Sequence, residues 1–576
     1  MGNIVTMPKL NADMTEGVIT RWIVSEGDKI EKDDPLFEVE TGKIVQEVDS
    51  RYKGILLKIF TGSESTVPVN EAVCFIGKEG EDIPQLDGSE TQEAVVSQSQ
   101  DSQESHVYSD PVDVAKKVET TQKTFDYDLL VVGGGPGGYT AAIRAAQLGA
   151  RVFLAEKDKL GGTCLNRGCI PTKSLFVRAE EWRMVQRLAD IGINADNLSI
   201  DFSKIADVKD AAVERLRNGV ANLLEKNNVK TAYAEATILD GHTISIEDKT
   251  VTAAYILIAT GTNPAMPPVI CGKEVQIVTT DDMLGLRELP ESVAIIGGGV
   301  VGVEFAGILA SFGVKVSIIE IMDTLLTGLD IDLVEAVNKA FKRTGISVYC
   351  GTAVDKIEIN DRDNILTLKD GKKLTAEMVL AAAGRSPDCE AFASLDIKQN
   401  EKGYIKVDGH MKTNLESVCA VGDITGISQL AHVASAQGMC IAENLFGNGA
   451  EMRYEGIPSC IFTMPELATV GMTESEARQK EIPVKVSRFD MAGNGKAVAE
   501  GDTEGFVKII IDERFDEILG VHIAGKNANL LIAEAALAIS VEATTEDVAR
   551  AIHAHPTRAE ALMESALGIY GAMIHG

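Results

Sequence analysis

Two segments of this chain repeat one pattern of apolar, glycine-rich and small residues. The segments are residues 128–157 and 292–321; Gly133 corresponds to Gly297 and Glu156 to Glu320, an offset of 164 residues each time. Each segment reads as an apolar strand, a glycine-rich turn, a helix of small residues and a second apolar strand that ends in Glu. The repeat therefore predicts two βαβ units.

The turn glycines of both segments have the spacing of a dinucleotide-binding fingerprint. They are Gly133, Gly135 and Gly138 in the first segment and Gly297, Gly299 and Gly302 in the second. The first glycine permits a tight turn, the second lets the backbone approach a pyrophosphate, and the third lets the helix pack closely on the strand.

A glutamate at the end of each segment completes the fingerprint. Glu156 and Glu320 each follow the third glycine by 18 residues, close to the spacing expected for a carboxylate that binds ribose hydroxyls. The residues after Glu320 are Ile321, Met322 and Asp323, with no arginine to receive a 2′-phosphate. We therefore expect NAD rather than NADP at the second site, and two sites suggest a relay between two cofactors.

Two cysteines follow the first βαβ unit, in the run GGTCLNRGCIPTKSL. Cys164 and Cys169 are five positions apart, an arrangement found in redox pairs, metal sites and merely buried thiols. No second Cys/His pair with ligand spacing lies nearby, so we expect no zinc or other metal. A regular helix would hold such cysteines too far apart for a disulfide, but Gly168 and Pro171 could distort it. A redox role is the interpretation that we favour.

Several motifs, taken in their order and spacing, resemble the flavoprotein disulfide reductases, and most closely the dihydrolipoamide dehydrogenase family. They are the CLNRGC run, the double fingerprint, Ala259-Thr260-Gly261, Val421-Gly422-Asp423, and His553-Ala554-His555-Pro556-Thr557 followed by Glu560. The resemblance implies four segments: an FAD-binding domain at 125–275, an NAD-binding domain at 276–395, a return segment of the FAD-binding and central domain at 396–455, and an α+β dimerisation domain at 456–576.

The resemblance also implies which residues contact the two cofactors. For FAD they would be Gly133, Gly135, Gly138, Glu156, Lys173, Thr260, Gly261, Asp423, Gln429, Leu430, Ala431 and His432. For NAD they would be Gly297, Gly299, Gly302, Glu304, Glu320, Val354 and Gly384. In the family, the lysine matching Lys173 lies near the flavin and pairs with the acid matching Glu304.

The family's catalytic residues map onto Cys164, Cys169, His555 and Glu560. The two cysteines would form the redox disulfide, His555 would act as the base and Glu560 would orient it, while His553 would be structural. A base is needed because only a thiolate attacks a disulfide, and an imidazole suits that task. The implied reaction oxidises dihydrolipoyl groups and passes hydride to NAD⁺. The family's base comes from the partner subunit, so a homodimer is expected.

Residues 1–79 form a separate module at the front of the chain. Short Val/Ile-rich runs separated by turn signals predict a small all-β barrel or sandwich. Lys43 lies between two strand-like runs, and the surroundings resemble a lipoyl domain, which implies covalent lipoate on Lys43. Residues 81–124 carry ten acidic and three basic side chains, a composition that predicts a flexible, extended linker at 80–124.

Composition and charge narrow the remaining possibilities. The formal net charge of −31 disfavours nucleic-acid and membrane-surface partners. A low density of cysteines favours a cytoplasmic protein, and the seven other than Cys164 and Cys169 are expected to be mostly buried free thiols. The expected partners are the acyltransferase and decarboxylase components of a 2-oxo acid or acetoin dehydrogenase complex. The alternatives are another disulfide reductase and a mainly docking or carrier role for the front module.

Overall fold

A computed structural model describes most of the chain as two compact units, Met1–Val118 and Glu119–Gly576. The described residues are 3–8, 16–31, 34–41, 44–50, 52–63, 65–69, 71–78, 81, 125–194, 197–272, 274–360 and 363–576. Lys43 lies outside the described residues, and of the predicted linker 80–124 the structure describes Glu81 alone.

The first unit is a small β-sandwich, as the sequence predicts. Its strands are β1 Asn3–Thr6, β2 Glu16–Trp22, β3 Lys29–Ile30, β4 Pro35–Thr41, β5 Ile44–Asp49, β6 Gly54–Ile59, β7 Ser65–Pro68 and β8 Ala72–Gly77. They form two four-stranded sheets, β1-β8-β6-β3 and β5-β4-β2-β7. Leu36, Phe37 and Leu56 are fully buried in the core of the sandwich. Strands β4 and β5 pair antiparallel, with Thr41 opposite Ile44, and thus flank the segment that contains Lys43.

The second unit begins with an open, largely parallel sheet. The elements are β9 Tyr127–Val132, α1 Pro136–Gln147, β10 Val152–Ala155, α2 Gly162–Arg167, α3 Cys169–Gln186, α4 Phe202–Lys226, β11 Lys230–Ala232, β12 Ala236–Asp240, β13 Thr243–Ile246, β14 Lys249–Ile258, β15 Thr262–Pro264 and β16 Ile270–Cys271. Strands β9, β10 and β14 run parallel at the centre of this sheet. The carboxyl-terminal halves of these strands are apolar and buried, as expected for strands covered on both faces.

A second parallel sheet follows in the same unit. The elements are β17 Ile277–Val278, α5 Thr280–Gly285, β18 Ser292–Ile296, α6 Val300–Ser311, β19 Lys315–Ile319, α7 Ile331–Thr344, β20 Ser347–Tyr349, β21 Val354–Asn360, β22 Asp363–Leu368, β23 Lys373–Ala376, β24 Met378–Ala381 and β25 Arg385–Pro387. The order β17-β24-β18-β19-β20 places the second repeat at the centre of this sheet. Both predicted βαβ units are present, as β9-α1-β10 and β18-α6-β19.

The chain then returns to the first sheet. It forms β26 Val418–Ala420 and α8 Ala431–Phe446. Strand β26 pairs parallel with β14. Helix α8 packs on α1 so closely that a Cβ on Gly438 would lie 2.4 Å from Gly137 O. The return segment thereby covers the helix that follows the first glycine-rich turn.

The last part of the second unit is an antiparallel sheet covered by helices. Its elements are β27 Ser459–Ile461, β28 Leu467–Gly471, α9 Glu474–Gln479, β29 Val484–Asp490, α10 Gly495–Ala499, β30 Gly505–Asp512, β31 Glu517–Gly525, α11 Ala528–Ser540, α12 Thr545–Arg550 and α13 Glu560–Ile569. The strand order is β27-β28-β31-β30-β29. Ile509 and Val521 are fully buried in its core with Ile532 of α11 and Leu562 of α13. This α+β arrangement agrees with the fold class expected from the sequence.

A buried cluster of charged groups joins this sheet to the second parallel sheet. Lys508 of β30 is 2% exposed, and its Nζ lies 2.9 Å from Asp330, 2.6 Å from Asp332 and 2.9 Å from Glu474. Burial opposes the charge, but the hydrogen bonds to the three carboxylates outweigh it and raise the pKa of Lys508. Asp330 is also the N-cap residue of α7, so the cluster fixes where that helix begins.

The free cysteines are not all buried. Cys74, Cys419 and Cys440 are buried, whereas Cys271 is exposed and the others are partly exposed. The expectation of mostly buried thiols is therefore confirmed for three of the seven and wrong for the other four. In β16 the Cys271 side chain projects from an edge strand of a four-stranded sheet. Among the described residues, no helix is long and apolar enough to span a membrane.

The close approach of α6 to Gly297 O allows a test of the packing role that the fingerprint assigns to its third glycine. A Cβ on Gly302 would lie 2.0 Å from Gly297 O, whereas a Cβ on Gly307 would meet nothing within 4 Å. We expect Gly302→Ala to cost about 1–3 kcal/mol through overpacking. The matched control Gly307→Ala should be neutral or stabilising by up to about 1 kcal/mol, because alanine favours the helix. Thermal unfolding of the two variants measures the difference, and equal midpoints would contradict the packing argument.

Candidate functional site

The two candidate cysteines form a disulfide across a break between two helices. Helix α2 ends at Arg167 and α3 begins at Cys169, with Gly168 between them at φ −140° and ψ −111°. The break brings the Cα atoms of Cys164 and Cys169 to 4.7 Å, within the range for disulfides. A Cβ on Gly168 would lie 3.0 Å from Thr163 O, so glycine suits this tight position. The expected distortion at Gly168 is therefore present.

Asn166, between the two cysteines, holds the disulfide loop in place. Its Nδ2 donates hydrogen bonds to Leu160 O and Gly162 O, both at 2.9 Å. These bonds tie the helix break back to the segment that precedes α2. Sequence reasoning did not assign this role to Asn166, although it lies within the CLNRGC run.

Lys173 and Glu304 form an ion pair between α3 and α6. Lys173 Nζ lies 2.9 and 2.7 Å from the two carboxylate oxygens of Glu304, and the Glu304 side chain is 4% exposed. Phe462 N–H donates to Glu304 Oε1 at 2.9 Å, and Lys173 Nζ lies 4.7 Å from the centre of the Phe462 ring. The pair lies one helical turn beyond Cys169, and sequence reasoning missed the part played by Phe462.

The two glycine-rich turns have the same geometry. Gly133 and Gly297 have φ values of 106° and 118°, a region that strongly favours glycine. The Glu156 carboxylate accepts from Gly134 N–H at 2.7 Å, and the Glu320 carboxylate accepts from Gly298 N–H at 2.5 Å. Each glutamate is thus held against its own turn by the same hydrogen bond in the two copies. Gly138 and Gly302 provide the close helix–strand contact in the two copies.

A buried carboxylate lies at the end of β26. Asp423 Oδ2 accepts a hydrogen bond from Thr262 Oγ1 at 3.2 Å. Burial raises the pKa of Asp423, and the positive charge of Arg385 partly opposes that rise. Arg385 in turn donates to Thr262 Oγ1 at 2.7 Å and to Thr262 O at 2.5 Å. Arg385 was missed in the sequence, where the run Gly384-Arg385-Ser386-Pro387 is its signal.

The remaining predicted FAD contacts lie in loops and at the start of α8. Thr260 Oγ1 donates to Asp388 O at 2.7 Å, Gly261 has φ 73°, and Gln429 Nε2 donates to Tyr404 Oη at 3.1 Å. Leu430 is the N-cap residue of α8, Ala431 is its first residue, and His432 Nε2 lies 2.9 Å from Pro458 O. Most of these residues are held by backbone or side-chain contacts to neighbouring loops.

The last two predicted NAD contacts lie in different settings. Val354 begins β21 and is 4% exposed in an apolar cluster with Ile357 and Leu366. Its side chain therefore packs into the core. Gly384 follows β24 at φ 115°, and a Cβ there would meet nothing within 4 Å.

His555 and Glu560 form a second polar pair, near the start of α13. His555 Nδ1 lies 2.8 Å from Glu560 Oε1, and Thr557 N–H donates to Glu560 Oε2 at 2.8 Å. Partial burial opposes ionisation of Glu560, but these hydrogen bonds outweigh it and hold the pKa of Glu560 below its usual value. The contact allows Nδ1–H to donate to the carboxylate, and in that neutral tautomer Nε2 is the nitrogen without a proton. The side chain of His555 is 77% exposed.

His553 differs from His555 in both contacts and exposure. Its Nε2 lies 2.8 Å from Glu534 Oε1 and its Nδ1 lies 2.9 Å from Ala551 O. Its side chain is 6% exposed. Because both ring nitrogens face acceptors, His553 has no nitrogen free to exchange a proton with a substrate, which agrees with a structural role.

Three segments of the chain match known protein families. Residues 127–438 match the family described as pyridine nucleotide-disulphide oxidoreductase, residues 457–566 match its dimerisation domain, and residues 3–76 match a domain described as biotin-requiring enzyme. The chain is similar to a protein named dihydrolipoyl dehydrogenase from Bacillus subtilis, with 38% identity over 78% of this chain and 99% of the relative.

Another relative and one solved structure extend the comparison. A protein named dihydrolipoyl dehydrogenase from Geobacillus stearothermophilus is 37% identical over 78% of this chain and 97% of its own length. The HOCl-induced flavoprotein disulfide reductase RclA from Escherichia coli, solved as a Cu(II) complex, is 26% identical. Its TM-score is 0.70, with 76% of this chain and 98% of the RclA chain covered.

The Lys173–Glu304 pair can be tested by stability measurements. Glu304→Ala leaves the partly exposed Lys173 without its carboxylate and Phe462 N–H without its acceptor, so we expect a loss of about 1–3 kcal/mol. Glu304→Gln keeps an oxygen for Phe462 N–H and should lose less. Denaturant unfolding of the two variants against the unmodified protein gives both values, and equal losses would show that the Phe462 contact contributes nothing.

Proposed function

The chain belongs to the pyridine nucleotide-disulphide oxidoreductase family, and on this premise we propose how its residues act as a dihydrolipoyl dehydrogenase. The enzyme oxidises dihydrolipoyl groups to lipoyl groups at the Cys164–Cys169 disulfide and passes the electrons through FAD to NAD⁺. The observation that carries the proposal is the disulfide bridging α2 and α3, one helical turn from the Lys173–Glu304 pair. The similarity to curated dihydrolipoyl dehydrogenases over nearly their whole length supports the same substrate.

The residues of the first glycine-rich turn fit the ADP half of FAD. Gly135 is the N-cap residue of α1, and no side chain of the described residues caps that helix end. A Cβ on Gly135 would meet nothing nearer than Gly162 Cα at 3.9 Å, so there is open space beside the free N–H groups. Helix N-termini of this kind bind phosphate. Glu156 and Asp423 would hold the ribose and ribityl hydroxyls.

The second turn fits NAD by the same criteria. Gly299 is the N-cap residue of α6, again uncapped by a side chain of the described residues, and a Cβ there would meet nothing within 4 Å. Glu320 would accept hydrogen bonds from the adenosine ribose. A carboxylate at this position repels a 2′-phosphate, which supports NAD over NADP. Glu304, Val354 and Gly384 are the other proposed NAD contacts, and Val354 would contribute its backbone because its side chain packs into the core.

The proposed reaction at the cysteines starts with a proton transfer. His555 Nε2 accepts the proton of one dihydrolipoyl thiol, and Glu560 stabilises the imidazolium through Nδ1–H. The substrate thiolate attacks Cys164 Sγ, the disulfide breaks, and Cys169 leaves as a thiolate. The second substrate thiol then displaces Cys164 and its proton passes to the departing Cys164 Sγ, which closes the lipoyl disulfide and leaves a thiol at Cys164 and a thiolate at Cys169. FAD, which the first glycine-rich turn, Glu156 and Asp423 would hold, would supply the two-electron chemistry that links these cysteines to NAD⁺.

The exposure of His555 supports a homodimer. In a single chain, most of the His555 side chain faces solvent, and residues 457–566 match a dimerisation domain. We propose that His555 of one protomer serves the disulfide of its partner. The proposed segments remain 125–275 for FAD, 276–395 for NAD, 396–455 for the return and 456–576 for dimerisation.

The front module gives the enzyme a carrier of its own. Residues 3–76 match a biotin/lipoyl domain, and we propose that Lys43 carries lipoate. The linker at 80–124 would then let the carrier move between active sites. The proposed partners are the acyltransferase and decarboxylase components of a 2-oxo acid or acetoin dehydrogenase complex. The cytoplasmic location remains a prediction.

The direct test is reduction of NAD⁺ by dihydrolipoamide with the purified flavoprotein. We expect turnover with NAD⁺ that greatly exceeds turnover with NADP⁺, and little reaction between NADH and oxidised glutathione. Preference for glutathione would identify a different disulfide reductase.

Modification of Lys43 needs a separate test. Intact mass of the protein after expression with lipoate should show the mass of one added lipoyl group.

Replacement of one redox cysteine should stop the reaction without removing the flavin. Cys169→Ser eliminates the leaving thiolate, so dihydrolipoamide oxidation should fall to background while bound FAD stays visible in the absorption spectrum. The control is Cys271→Ser, at an exposed cysteine, which should keep full activity. Substantial turnover in Cys169→Ser would overturn the scheme.

Variants at the two histidines of the HAHPT run provide a matched pair that tests the proposed role of His555 as the base. His555→Gln should reduce dihydrolipoamide oxidation by about 10²–10⁴-fold, the usual contribution of a general base. NADH oxidation by a soluble quinone that bypasses the thiols should be unchanged. His553→Gln should alter stability more than turnover, because the buried ring contacts Glu534 and Ala551 O. Equal loss of turnover in the two variants would rule out His555 as the specific base.

A further inference from the structure

A groove lies between the distal ends of α3, α6 and α7, away from the disulfide. Its volume is about 360 Å³, within the size range of small-molecule sites. Trp182 and Arg183 of α3 line one side, and Phe312 and Phe341 line the other. Trp182 follows Cys169 by 13 residues of one continuous helix, which corresponds to roughly 20 Å along the axis. The groove is therefore separate from the redox centre.

The walls of the groove combine apolar and polar side chains, and their hydroxyl groups are already hydrogen-bonded. Ser311 Oγ donates to Gly307 O at 2.7 Å, and Thr344 Oγ1 donates to Ala340 O at 3.1 Å. Both bonds lie within the helices that carry the hydroxyls. Apart from those hydroxyls and Arg183, the walls offer Gln186, the aromatic rings, Ile346 and Met464 to an occupant.

Arg183 brings a positive charge to the groove, and its hydrogen-bond partner is the weakly accepting sulfur of Met464. Among the described residues, its side chain has one hydrogen bond, from Nη1 to Met464 Sδ at 3.0 Å, and a thioether is a weak acceptor. Burial lowers the pKa of Arg183, and the positive charges of Arg343 and Arg187 lower it further, while Glu504 and Glu180 oppose them. Glu504 is already hydrogen-bonded to both Nη atoms of Arg343. A half-buried guanidinium thus lines the groove, and no carboxylate of the described residues is in contact with it.

We propose that this groove binds a small monocarboxylate with an apolar chain. Arg183 would hold the carboxylate, for which its planar guanidinium has matching donors, and the chain would lie against Trp182, Phe312 and Phe341. A single negative charge fits a single available arginine.

Octanoate titrated into the full-length flavoprotein by calorimetry tests the proposal. We expect saturable binding at one site per chain, no binding of acetate, which lacks the chain, and no binding of octylamine, which has the opposite charge. Arg183→Gln should weaken octanoate binding by about tenfold or more, the effect of losing a charged hydrogen bond. The matched control Arg187→Gln removes a charge one turn farther along α3, outside the groove, and should change the affinity by less than about threefold.

A second variant blocks the groove without touching the charge. Gly307 lines the groove, and a Cβ there meets nothing within 4 Å, so Gly307→Leu should fold and fill the space. We expect this variant to lose octanoate binding. Absence of saturable binding by the unmodified protein, or equal affinity in Arg183→Gln and the unmodified protein, would overturn the proposal.

Fluorescence locates the ligand. The chain has two tryptophans, Trp182 in the groove and Trp22 in the first unit. Octanoate should change the emission of the unmodified protein, and the change should disappear in Trp182→Phe, where Trp22 remains as an internal reference. A change that persists in Trp182→Phe would place the ligand elsewhere and contradict the proposed site.

Discussion

The second unit depends on two places where a helix touches a strand backbone with no side chain between them. In α1 and α6 a Cβ at the third glycine would lie 1.9 or 2.0 Å from the carbonyl oxygen of the first glycine of the turn. That contact sets the angle at which each helix leaves its sheet, and so directs the helix N-terminus and its free N–H groups. The ion pair between Lys173 and Glu304 then joins α3, which carries Cys169, to the helix of the second copy. The redox pair is thereby fixed relative to both nucleotide-binding turns.

Much of this arrangement could be predicted from the sequence because the signals are local. The glycine spacing, the glutamate after the second strand and the cysteine pair each lie within a short segment. The roles given to His555 and His553 by resemblance remain predictions, and the difference between the two rings is visible only in their contacts with Glu560 and Glu534.

Contacts between distant segments could not be predicted in this way. Phe462 reaches Glu304 across 158 residues, and Lys508 reaches Asp330 across 178. Neither pair has a pattern of its own, since a lone lysine or phenylalanine in an apolar strand reads as an ordinary surface or core residue. Arg385 was missed for the same reason, because its partner Thr262 lies 123 residues away. Cys271 appeared buried from its apolar neighbours, but the edge strand on which it lies leaves it exposed.

The contacts around the break between α2 and α3 have a further consequence for electron transfer. The disulfide is not the sole restraint on this corner, because Asn166 also binds Leu160 O and Gly162 O, and the side chain of Leu165 is buried. These contacts involve no sulfur, so they remain when the bond between the cysteines opens. The backbone of the oxidised and reduced forms should then be nearly the same. A redox centre whose surroundings hardly move has a small reorganisation energy, and its helices need not be rebuilt in each catalytic cycle.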